Sequence, residues 1–106
     1  MVDRLAPKEL HARLAQGESF VLLDVRERDE LELCRLPGAV HIPLGDLARR
    51  AGELDPAAHV VCICHHGMRS ANAAVFLERL GFERVSNLQG GVERWATDVD
   101  PSFPRY

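Results

Sequence analysis

His59-Val60-Val61-Cys62-Ile63-Cys64-His65-His66-Gly67-Met68-Arg69-Ser70 is the stretch on which the fold of this chain turns. The apolar run His59 to Ile63 fits a buried strand. A loop with Gly67 follows. From Ser70 to Leu80, Ala73, Phe76, Leu77 and Leu80 recur at helical spacing, with Ser70 suited to the N-cap and Gly81 to the end. A strand, a tight loop and a helix in that order place the Cys64 thiol at a helix N-terminus. The first amides of a helix have no internal partner, and the aligned peptide dipoles add to them, so the position favours negative charge. A cysteine there is expected to exist more as thiolate, its reactive form.

The same pattern extends in both directions. Val2 to Leu5 suits a short first strand, and Pro7 to Gln16 a helix that starts on proline and stops at Gly17. Phe20 to Val25 is nearly all apolar, as in a strand covered on both faces, with Asp24 the exception near its end. Arg28 to Cys34 reads as a short helix with Leu31 and Leu33 apolar, Ala39 to Ile42 as a strand, and Leu44, Leu47, Ala48 and Ala51 as a helical face. Arg84 to Leu88 is a last strand; Gly90-Gly91 opens a short helix bearing Trp95, and an irregular tail follows from about Thr97 to Tyr106. Strands alternating with helices predict a single α/β domain over residues 1–106, with a mostly parallel sheet and its ligand crevice beyond the carboxyl ends of the strands. Asp24 and Cys64 both fall at such ends.

Composition narrows the function. The chain has 106 residues, 13 basic and 16 acidic, for a net charge of −3. That balance gives no basis for binding nucleic acid or an anionic membrane. No apolar run reaches the roughly 18 residues of a membrane span, and the first residues lead into no export signal. Three cysteines are too few for a disulfide framework, which points to a reducing cytoplasm. Cys62, Cys64, His65 and His66 match no usual zinc spacing, so no metal is expected. Cys62, inside its strand, reads as structural.

Four elements, in order, resemble a single-domain rhodanese. Val21-Leu22-Leu23-Asp24-Val25-Arg26-Glu27 resembles the family's Asp-x-Arg strand end, and Pro37-Gly38-Ala39-Val40-His41-Ile42-Pro43 its Pro-Gly-Ala element. Cys64 to Ser70 resembles its active-site loop, and Asn87-Leu88-Gln89-Gly90-Gly91 with Trp95 its closing motif. The resemblance implies a rhodanese-like five-stranded sheet with helices on both faces. It also implies sulfur transfer without a metal or organic cofactor. Cys64 would take sulfane sulfur from a small sulfur-containing anion such as thiosulfate, or from a protein persulfide, and pass it to a thiol or cyanide. In this reading the amides of His65, His66, Gly67, Met68, Arg69 and Ser70 line the anion site, and Arg69 faces an anionic donor. Asp24 and Arg26 either brace the crevice or touch the donor.

Two other functions stand beside this one. Phosphatases and arsenate reductases on the same fold resemble one another in having five residues between Cys and Arg; His65, His66, Gly67 and Met68 are four, a ring sized for one sulfur. A non-catalytic binding module would not require the Cys, Gly and Arg that are present. The family often carries Lys or Arg at position 65 and a polar or basic residue at position 68. Here His65 and His66 make the charge of the loop depend on pH, and Met68 is apolar.

Overall fold

The computed structural model describes residues 2–106. Five strands form one sheet: β1 (Asp3–Leu5), β2 (Val21–Asp24), β3 (Val40–His41), β4 (His59–Ile63) and β5 (Arg84–Leu88). Their order is β1-β5-β4-β2-β3, and every pairing is parallel. β4 sits between β2 and β5, with Val61 opposite Leu22 on one side and Ser86 on the other. All five of its residues are buried, which is why this stretch shows an unbroken apolar run rather than alternation.

The helices are α1 (Pro7–Ala15), α2 (Arg28–Leu33), α3 (Leu47–Arg50, flanked by 3-10 turns), α4 (Met68–Arg79) and α5 (Gly91–Asp98). Alternate strand residues feed two separate cores. On one face Leu23, Val60, Cys62 and Val85 pack with Leu47 of α3 and with Ala73, Ala74 and Leu77 of α4. On the other, Leu5, Leu22, Val61, Ile63 and Leu88 pack with Leu10 of α1 and with Val92, Trp95 and Ala96 of α5. Phe103 closes this second core from the tail. Among the described residues, no helix is long and apolar enough to cross a membrane.

Three local expectations need correction. α4 begins at Met68 and is capped by Gly67, not Ser70. The Ser70 hydroxyl faces inward, toward Cys64 and Asn87, and is not free to cap. Leu80, expected in the buried stripe of α4, is exposed just past its last turn, so that stripe is narrower than the sequence implies. α5 continues past residue 97 to Asp98, held by an Arg94–Asp98 pair one turn apart.

Candidate active site

Cys64 follows β4 directly, and its residue is 1% exposed. One amide donates to its sulfur, and a hydroxyl whose single proton is shared with Asn87 lies within reach of it. The Gly67 amide lies 3.0 Å from Sγ, and the Ser70 hydroxyl 3.2 Å. The donors come from the cap and first turn of α4, so negative charge on the sulfur sits at the positive end of that helix. Gly67 can serve this way because its φ is +104°, a backbone region that other residues resist. A side chain there would also meet the Gly90 amide, with Cβ 3.3 Å from its nitrogen.

β5 and α5 hold the loop in shape. Asn87 donates to the Gly67 carbonyl at 3.0 Å and accepts a hydrogen bond from Ser70. At the start of α5, the Val92 amide donates to the Cys64 carbonyl at 2.9 Å, and the Glu93 amide to the His65 carbonyl at 3.1 Å. The outward carbonyls of the loop are thus taken up by the unpaired amides of a second helix. Gly91 makes that approach feasible: a Cβ at this position would stand 2.4 Å from both carbonyl oxygens.

The expected substrate contacts separate into groups. Cys64, Gly67 and Ser70 converge on one point. Met68 is 80% exposed and projects into solvent. His65 is sandwiched between His66 and Tyr106, each ring 3.9 Å away. Burial, and then the neighbouring His66, push the His65 imidazole below its ordinary range. The pH-dependent charge expected of this histidine is therefore displaced to acid. His65 Nε2 lies 3.8 Å from Glu93, which is in turn paired with Arg105.

Arg69 is engaged by a carboxylate. Its Nη1 and Nη2 donate to the two carboxylate oxygens of Glu30 at 2.6 and 2.9 Å. That pair raises the Arg69 guanidinium. Glu30 is also held by Tyr106, whose hydroxyl donates at 2.7 Å, and it takes part in the capping box that starts α2. The hydrogen bonds from Arg69, ahead of those from Tyr106 and the Glu27 backbone, hold the Glu30 carboxyl down at about 2.

Asp24 and Arg26 form a buried bidentate pair. Nε and Nη2 of Arg26 donate to the Asp24 oxygens at 3.0 and 2.7 Å. The remaining donors of the guanidinium go to the Cys34 carbonyl at 2.8 Å and the Tyr106 hydroxyl at 2.8 Å. Burial works against the charge, but these bonds outweigh it and the guanidinium is raised. His41 of β3 donates to the Arg26 carbonyl at 2.6 Å. Cys62 lies fully buried in β4, and burial pushes its thiol up to about 12, as expected of a structural cysteine.

Sequence reasoning did not single out Glu30 or Glu93, and it placed Asn87 only within a motif and Tyr106 only in the irregular tail. His65, His66 and Glu93 offer ligand atoms within 4.8 Å of one another, a grouping different from the Cys-His set weighed from the sequence.

A profile for the rhodanese-like domain matches residues 6–98. A Bacillus subtilis protein assigned as a sulfur carrier, YrkF, is 45% identical over 94 residues, covering 89% of this chain and 51% of that protein. The chain therefore spans about half the length of that relative. A sulfurtransferase of Allochromatium vinosum is 34% identical over 96 residues, covering 91% of this chain and 90% of that one. Among solved structures, a rhodanese-related protein of Thermoplasma volcanium superposes with a TM-score of 0.84 at 28% identity, covering 92% of this chain and 93% of that one. With a parallel sheet that delivers Cys64 to the head of α4 and a family profile spanning most of its length, this chain belongs to the rhodanese-like domain family.

Proposed function

We propose that the chain is a sulfurtransferase that carries sulfane sulfur as a persulfide on Cys64. The observation that supports this most is the convergence of the Gly67 amide and the Ser70 hydroxyl on the Cys64 sulfur at 3.0 and 3.2 Å. Donors fixed before the reaction stabilise charge without reorganising during it.

In the first half-reaction the Cys64 thiolate attacks the outer sulfur of a donor. The donor's sulfur–sulfur bond breaks, and its remainder leaves with the bonding pair, as sulfite from thiosulfate or a thiolate from a persulfide. Cys64 now carries a terminal sulfur with one negative charge. In the second half-reaction a thiolate or cyanide attacks that terminal sulfur, and Cys64 departs as thiolate. One group serves as nucleophile and then as leaving group, so a site that stabilises sulfur anions assists both halves. Asn87 and the start of α5 position the loop, and the Asp24–Arg26 pair braces the floor of the crevice.

The four-residue span between Cys64 and Arg69 supports sulfur as the group carried, rather than the bulkier phosphate. The test is transfer itself. Protein preloaded with donor and freed of excess should convert cyanide to thiocyanate, at no more than one equivalent per chain. Absence of thiocyanate from every donor tried would reject the reading.

A further inference from the structure

Around the Cys64 loop, each guanidinium is matched by a carboxylate. Arg69 is held through both terminal nitrogens by Glu30, Arg105 pairs with Glu93, and Arg26 is buried against Asp24. The position that should attract an anionic donor is thus an ion pair with no net charge. Glu30 is committed to this arrangement from three sides, by Arg69, by the Tyr106 hydroxyl and by the Glu27 amide of its own capping box. Its carboxyl, held at about 2, stays charged throughout the neutral range.

We propose that Glu30 is a specificity-determining residue: by neutralising Arg69 it disfavours small doubly charged donors such as thiosulfate and leaves the loop suited to donors with one negative charge at the reacting sulfur, as in a persulfide. This rests on Cys64 being the sulfur-carrying residue. The Gly67 amide and the head of α4 serve a single charge on sulfur. A second charge, on the leaving sulfonate, needs a further cation, and the only guanidinium on the loop is already engaged.

The experiment compares two donors that differ by one charge and little else. Thiosulfate carries two negative charges and methanethiosulfonate one. Cys64 attacks the outer sulfur of each, the sulfur–sulfur bond breaks, and sulfite or methanesulfinate leaves with the pair. With cyanide as common acceptor, Glu30→Gln should raise the thiosulfate-to-methanethiosulfonate ratio of kcat/KM about tenfold, chiefly through KM for thiosulfate, and added salt should shrink the gain. Gln retains the shape and the acceptor of the capping box. Should Glu30→Gln fail to fold by circular dichroism, Glu30→Ser carries the same prediction. Adding Arg69→Met to the Glu30→Gln protein should return the ratio to its starting value, which a merely loosened loop would not do. A ratio within twofold of the parent's, with both donors still loading Cys64, overturns the role of Glu30 and leaves sulfur transfer standing. Failure of both donors and of a small persulfide to load the parent protein overturns the role of Cys64 itself, and this proposal with it.

Discussion

A Cβ on Gly91 would stand 2.4 Å from the carbonyl oxygen of Cys64. The head of α5 is therefore packed against the loop as closely as backbone allows, and its amides hold the loop's carbonyls turned outward. Gly91→Ala should force these two segments apart. We expect a loss of roughly 1–3 kcal/mol in urea denaturation, typical of overpacking and of a residue at positive φ. Sulfur loading of the folded fraction should fall about tenfold or more, since a displaced loop no longer presents its donors. Parent-like loading in this variant would show that α5 is not what shapes the loop.

Ser70→Ala removes the hydroxyl whose single proton is shared between the Cys64 sulfur and Asn87. A hydrogen bond to a charged group is worth about 1.5–3 kcal/mol, so single-turnover loading should slow by about ten- to a hundredfold. The fold should persist, because the α4 core of Ala73, Ala74 and Leu77 is untouched. Loading at the parent rate would assign the hydroxyl to Asn87 alone.

Stability should fall as the solution turns acidic, and His59 gives one reason. This histidine is buried at the start of β4, shares a hydrogen bond with Ser86 at 2.7 Å, and packs against Phe20. Burial, then the nearby Arg84 and Arg13, lower it from an ordinary value of 6.5. The unfolded chain therefore binds the proton more readily. The contribution of His59 is fully present above 6.5 and is lost as pH falls from there through the folded value. Urea midpoints at about pH 7.5 and 5.5 should differ, and by less in His59→Gln, which cannot gain the charge. An equal difference in both proteins would place the acid sensitivity elsewhere.

His65 leads to the opposite expectation for reactivity. Lowered by burial and by His66, it is already uncharged at neutral pH. Loading rates above about pH 7 should therefore show no decline traceable to it, and His65→Gln should leave the shape of the profile unchanged there. A fall through neutral pH that vanishes in His65→Gln would show that its charged form takes part.

What the sequence made legible follows from how the signals arise. β2 and β4 are buried on both faces, so their apolar runs stand out, and helices between them imply parallel strands. The placement of Cys64 at the end of β4 and of Asp24 at the end of β2 came from the same pattern. Ser70 was misplaced because capping preference is local, whereas its hydroxyl is claimed by Asn87 on a different strand. The Arg69–Glu30 pair spans 39 positions and the Tyr106–Glu30 bond 76, and no periodicity links residues so far apart. Tyr106 lies in a stretch whose prolines indicate irregular chain, and nothing in that composition signals a return to the loop.

The most direct test of the account is the intact mass of the protein after brief exposure to thiosulfate, methanethiosulfonate or a small persulfide and removal of the excess. The account predicts a gain of one sulfur atom in the parent protein, reversed by cyanide or a thiol, and no gain in Cys64→Ser, where Cys34 and Cys62 remain. A sulfur adduct of equal yield in Cys64→Ser would contradict it.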